Sequence, residues 1–155
     1  MEADSGRIIA AEALARWHSS MYGNVSPVVF IPLLEKSGMI LTIGKWIFET
    51  ALRQCAAWLK KCPDFCVSVN LSYLQLYEEG FTSFMKETME SLCPGSTWSC
   101  FGVGHSAMEM LYGAVALGGH IRVGMEDNVM YAKGQLAACN AQFVERAARV
   151  IREYG

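Results

Sequence analysis

Histidine is scarce in this chain: there are three, His18, His105 and His120, and none lies at ligand-like spacing from a cysteine. The six cysteines, Cys55, Cys62, Cys66, Cys93, Cys100 and Cys139, are scattered and form no paired CxxC knuckles. A zinc knuckle or a disulfide framework is therefore not expected. Buried, reduced thiols in a cytoplasmic protein are expected instead. Charge is also sparse, with 18% Asp, Glu, Lys and Arg, a formal net charge of −2 and no basic stripe or tail. That removes the usual basis for binding a nucleic acid polymer or an anionic membrane surface. No apolar run approaches the ~20 residues that span a bilayer. The opening "MEADSGR" is acidic and polar and reads as neither signal nor transit peptide.

What the chain does have is apolar surface. It is 52% hydrophobic, with a mean hydropathy of +0.21. At 155 residues it is read as a single α/β domain, 1–155. One domain of this size has difficulty burying that much apolar surface alone.

Periodicity gives an alternation of elements. "RIIAAEALARW" reads as a strand, followed by a polar loop "HSSMYGN". Ser26-Pro27 starts a short helix that Pro32 divides or restarts and Gly38 ends. From Thr42 a longer helix is expected, with Ile43, Trp46, Ile47, Ala51, Cys55, Trp58 and Leu59 on its apolar stripe. "DFCVSVNLS" alternates as a strand, with Phe65, Val67, Val69 and Leu71 on one face. Phe81, Phe84, Met85, Met89 and Leu92 mark the next helix. "TWSCFGVG" is a third strand. Ser106 and Glu109 form a capping box that opens another helix. "HIRVGMED" is a fourth strand. After a loop, Asn140 caps a last helix with Val144, Ala147, Ala148 and Ile151 inward.

Four βα units in series make half of a (βα)8 barrel. The open edges of such a sheet are templates for pairing, so completion by homodimerisation is expected. The alternative is a small flavodoxin-like parallel sheet closed within one chain.

Two resemblances appear in these elements. "AEALARW", "GNVSPVVFIPLLEKSGMILTIGKWIFETALRQCAAW" and "VSVNLSYLQL", within 6–76, resemble an EAL-type cyclic di-GMP phosphodiesterase. "WSCFGVG", "AVALGGHIRVGMEDN" and "GQLAACNAQFVERAARVIREYG", within 81–155, resemble the C-terminal part of the β-keto acid cleavage enzymes. Both families are TIM barrels. The expected junction is 77–80, near Tyr77–Gly80, and the chain looks like a chimera of barrel fragments, most plausibly engineered.

The first resemblance implies that Glu12 and Asn70 are metal ligands, with Mg²⁺ or Mn²⁺ as the metal. It also implies that Leu14 and Arg16 contact the dinucleotide. The further acidic ligands, the paired aspartates and the catalytic lysine of that family have no counterpart here. The second resemblance implies that Glu126 is a Zn²⁺ ligand, that Asp127 assists proton transfer and that Arg122 lies in the active site. Its HxH histidine pair is absent, and a catalytic zinc needs about three protein ligands.

Bland roles stand beside these. Glu12 can pair with Arg16 or Arg122, Arg122 can join Glu126 or Asp127 in a charge network, and His105 can be an ordinary loop residue. The expectation is a self-associating scaffold without native catalytic activity and with no required cofactor. The alternatives are residual metal-dependent cyclic di-GMP binding or phosphodiester hydrolysis, and residual metal-dependent β-keto acid cleavage.

Overall fold

A computed structural model of the protein describes residues 2 and 4–154. It is a mixed α/β structure that divides into two compact units, Met1–Ser96 and Thr97–Gly155.

The first unit begins with β1 (Ala10–Ala13) and a hairpin of β2 (Trp17–Ser19) and β3 (Gly23–Val25). Helices α1 (Pro27–Ser37) and α2 (Met39–Leu59) follow, then β4 (Cys66–Val69), the single turn α3 (Tyr73–Leu76) and α4 (Phe81–Leu92). β1 and β4 pair in parallel, with Glu12 opposite Ser68 and Ala13 opposite Val69. β4 alternates as its sequence predicts, Val67 and Val69 half-buried and Cys66 and Ser68 exposed.

Several local expectations are corrected. The polar stretch after Trp17 is the β2–β3 hairpin rather than a loop, with Trp17 opposite Val25 and His18 opposite Asn24. Helix α1 runs through Pro32 instead of dividing there. Proline removes the N–H that the Val28 carbonyl would accept, but Val28 is 83% exposed, so water can take that bond. Gly38, at φ 74°, turns the chain from α1 into α2. The buried face of α2 is Ile40, Gly44, Phe48, Ala51 and Cys55. Trp46, expected on the inner stripe, is 63% exposed. The α2 face is chosen by what packs on it: Phe48 meets Phe84 of α4 at 6.2 Å between ring centroids, and Phe81 is fully buried beside Phe84. Burying each such ring is worth about 1.5–3 kcal/mol.

The second unit contains β5 (Ser99–Cys100), a 3-10 turn over Gly104–Ser106, α5 (Ala107–Ala116) and β6 (His120–Ile121). It ends with a hairpin of β7 (Met130–Ala132) and β8 (Gln135–Leu136), then α6 (Asn140–Tyr154). β5 and β6 pair in parallel. They are only two residues long, far shorter than the strands "TWSCFGVG" and "HIRVGMED" predict. Among the described residues the strands pair only in twos.

Leu111, Ala147 and Val150 form the core of this unit, with Val115, Ile121 and Val123 packed against it. Helix α6 therefore buries Phe143, Ala147 and Val150, a face rotated from the one expected, and leaves Val144 and Ile151 exposed. The β7–β8 hairpin, predicted as loop, adds to this face: Tyr131 packs on Phe143. Arg146 stacks 3.5 Å from the Tyr131 ring centroid and donates to the Tyr131 carbonyl at 2.6 Å.

The expected cap at Ser106 is also corrected. Its hydroxyl donates back to the Val103 carbonyl at 3.0 Å and makes no cap bond. The capping box is at Ser72 and Gln75 instead. Asn140 is the first residue of α6, and its side-chain oxygen accepts the Met125 N–H at 2.7 Å. Of the cysteines, Cys55 and Cys93 are buried as expected, whereas Cys66 and Cys139 are exposed. None of the six is in a disulfide.

Candidate functional site

The first unit brings Glu12 and Asn70 together. Parallel pairing sets the C-terminal ends of β1 and β4 side by side. Ala11 and Ala13 turn inward on β1, so Glu12 turns to the exposed side. The Asn70 amide then donates to Glu12 Oε1 at 2.8 Å. A carboxylate in an apolar run is tolerated here because it faces water and holds an amide. The Arg16 guanidinium donates to the Ala15 carbonyl at 3.0 Å rather than to Glu12. Leu14 and Arg16 are both exposed just beyond β1.

Chain direction beyond Asn70 is set by the Ser72–Gln75 capping box. Ser72 Oγ also donates to Glu35 Oε1 at 2.7 Å, tying this turn to α1.

The second unit brings Arg122 and Asp127 together. After β6 the chain turns at Gly124, whose carbonyl accepts the Asp127 and Asn128 N–H groups. A Cβ on Gly124 would lie 2.1 Å from Glu126 Oε2, so a side chain there would push the exposed Glu126 carboxylate aside. Arg122 donates to Asp127 Oδ1 at 2.7 Å and lies 3.8 Å from Glu126. Its guanidinium stacks 4.1 Å from the Phe101 ring centroid, a partner that sequence reasoning missed. The only hint in the sequence is an aromatic residue within the third predicted strand, directly after β5. The Asp127 carbonyl accepts the Gly104 N–H at 2.8 Å, fixing the 3-10 turn that carries His105. His105 and His120 are exposed.

The Asp127 side chain is 9% exposed, and its Oδ2 has no protein partner among the described residues. It lines a cavity of about 10 Å³ with Gly102, Leu111, Val123 and Phe143. A space that small suits one water molecule and no organic substrate.

These donor sets do not fit the metals implied by the two resemblances. Glu12 is a lone carboxylate whose neighbour presents an amide N–H to it, whereas Mg²⁺ and Mn²⁺ take shells of oxygen donors. Glu126 is 59% exposed and sits with the Arg122 cation, while zinc wants about three N, S or O ligands together. Among the described residues, no group of three or more His, Cys, Asp or Glu side chains is placed to hold a metal ion. What the two clusters can do as they stand is hold polar turns and present hydrogen-bonding groups to solvent.

Known proteins of two kinds resemble this chain. Residues 61–155 match the family model described as beta-keto acid cleavage enzyme. The 3-keto-5-aminohexanoate cleavage enzyme of Fusobacterium nucleatum is 48% identical over 66 residues, 43% of this chain and 24% of that protein. The bifunctional diguanylate cyclase/cyclic di-GMP phosphodiesterase MucR of Pseudomonas aeruginosa is 38% identical over 88 residues, 56% of this chain and 13% of that protein. A solved complex of the PaMucR phosphodiesterase with c-di-GMP superposes with a TM-score of 0.61 and 31% identity, over 75% of this chain and 51% of that one. The chain thus spans about half of the solved relative and a quarter or less of these two curated ones. No helix among the described residues is long and apolar enough to cross a membrane.

Proposed function

The chain belongs to the β-keto acid cleavage enzyme family through residues 61–155, and from that premise we propose that it is a barrel-fragment scaffold without native catalysis. It joins part of an EAL-type barrel to part of a cleavage-enzyme barrel, as an engineered or otherwise chimeric chain. Its free strand edges pair with a second copy of itself. The observation that carries this reading is the incompleteness of both clusters: among the described residues, the Glu12 carboxylate holds the Asn70 amide and the Asp127 carboxylate holds the Arg122 guanidinium.

Self-association rests on the two-stranded sheets. Among the described residues, each of β1 and β4 pairs with one neighbour, which leaves one edge of each for another strand. Exposed apolar side chains flank β1, Ile8 at 67% and Leu14 at 50%. A second copy offers the same groups in a two-fold arrangement, completing a barrel from two halves.

A second reading is cyclic di-GMP binding through Glu12, Asn70, Leu14 and Arg16. It is favoured by the exposure of all four on one short stretch of paired strand ends and by the c-di-GMP bound in the PaMucR relative. Residual β-keto acid cleavage would use Arg122, Glu126 and Asp127.

One experiment separates the three. The melting temperature is followed with Mg²⁺, Mn²⁺ or Zn²⁺, each with and without cyclic di-GMP or 3-keto-5-aminohexanoate, beside a sedimentation run. The scaffold reading expects no shift with any addition, since binding to the folded state must raise Tm, and about twice the chain mass. Turnover of either compound that disappears in Glu12→Ala or Glu126→Ala overturns it. A monomer at high concentration removes the self-association.

A further inference from the structure

Cys55 lies in α2 and Cys93 caps the C-terminal end of α4, on opposite sides of the Tyr77–Gly80 stretch. They are 7% and 5% exposed. Cys93 Sγ donates to the Leu52 carbonyl of α2 at 3.7 Å, less than one helical turn from Cys55. Cys93 is also close enough to Cys55 to raise its pKa. No part of the proposed scaffold role uses either one. We infer that Cys55 and Cys93 are a latent cross-link, which a low-molecular-weight disulfide closes into an intramolecular disulfide between α2 and the end of α4. The bond joins a segment that resembles the EAL phosphodiesterases to one inside the cleavage-enzyme match. Only that description rests on the two-parent reading; the bond itself stands or falls separately.

The chemistry balances with glutathione disulfide as the oxidant. One protein thiolate attacks the small disulfide, forming a mixed disulfide and releasing one glutathione thiolate. The second protein thiol loses its proton and displaces the other glutathione. Two protein thiols become one disulfide, and one glutathione disulfide becomes two glutathione thiols. Burial slows the first step. Desolvation, then the neighbouring Cys93, pushes the Cys55 pKa up to about 11, and a protonated thiol does not attack. The pair therefore stays reduced under mild conditions. Exposed Cys66, whose Sγ points to the Asp64 carbonyl at 3.8 Å, is the competing thiol, with Cys62 four residues before it.

The test uses the full chain, reduced, freed of reductant and incubated with glutathione disulfide at mildly alkaline pH. It is quenched with iodoacetamide in denaturant and mapped by non-reducing digestion and mass spectrometry. The expected result is a dominant peptide linking Cys55 to Cys93. With it comes a rise in Tm of about 5–15 °C that reductant reverses. Cys93→Ala should lose both. Should that variant not fold, the linked peptide from the unsubstituted chain decides alone. The inference is overturned if Cys55 and Cys93 are recovered alkylated or glutathionylated while Cys62 and Cys66 are consumed. It is equally overturned if the same oxidation in urea gives the same pairings, because folded geometry would then play no part.

Discussion

Gly44→Ala is the sharpest test of how the first unit is packed. Gly44 lies on the buried face of α2 with the Gln75 side chain against it. A Cβ at position 44 would sit 2.0 Å from Gln75 Nε2 and 2.5 Å from Gln75 Cδ, well inside contact distance. Gln75 cannot swing aside freely. It is 1% exposed, and its Oε1 accepts the Ser72 N–H at 2.9 Å in the box that starts α3. Relieving the clash therefore means losing that bond or shifting α2. Overpacking costs about 1–3 kcal/mol, and the lost hydrogen bond about 1 kcal/mol. Alanine's better helix propensity returns about 1 kcal/mol. The expected net is a destabilisation of about 1–3 kcal/mol.

The assay is urea unfolding followed by far-UV circular dichroism and tryptophan fluorescence, comparing midpoints at constant slope. Gly113→Ala in α5 is the control, since nothing lies within 4 Å of its added Cβ. It keeps only the propensity gain and should stabilise by about 0.5–1 kcal/mol. Repeating Gly44→Ala in a Gln75→Ala background should erase most of the penalty, because contacting residues couple. A Gly44→Ala protein as stable as Gly113→Ala refutes the packing argument. So does a penalty undiminished when the Gln75 amide is gone.

Other outcomes follow from the second unit and from the thiol pair. Arg146→Met removes the stacking on Tyr131 and the bond to its carbonyl, and should cost about 1–3 kcal/mol by urea unfolding. The hydrogen bond from Arg146 holds the Tyr131 phenol below its ordinary value, so ultraviolet titration of the variant should show that phenol titrating at higher pH. The Cys55 pKa is raised from 9.0 to about 11 on folding, so the unfolded chain loses that proton first. Stability from this group is complete below pH 9 and declines as pH rises from about 9 to about 11. Cys55→Ala should flatten that part of the stability profile, and an unchanged slope would remove the thiol as its cause.

Much of the local structure is readable from residue order because its causes are local. Ser26-Pro27 opens α1 and Gly38 closes it, since proline presets a helical φ and glycine accepts a positive one. The stripe of α4 and the alternation of β4 lie as their periods require. The resemblance to the EAL phosphodiesterases put Glu12 and Asn70 at one site, and residue order put Arg122 near Glu126 and Asp127.

Other features escaped because their causes are distant in the chain. The β2–β3 and β7–β8 hairpins are two or three residues a side, too short to carry a periodic signal. Ser106–Glu109 and Ser72–Gln75 both have capping-box spacing, and only the backbone angles at each turn select the second. The face that α6 buries is the one that meets Leu111 of α5 through Ala147 and Val150 and Tyr131 of β7 through Phe143.

Residue order alone determined which groups are available: one carboxylate and one amide at the first strand pair, and one arginine with two carboxylates near the fourth predicted strand. Only tertiary structure decided what those groups meet. Parallel pairing of β1 with β4 hands Glu12 an amide N–H, and the Gly124 turn folds Asp127 back onto Arg122. An amphipathic segment specifies that some face is buried, because burial depends on pattern; which face, and against which partner, depends on shapes that only the assembled chain supplies.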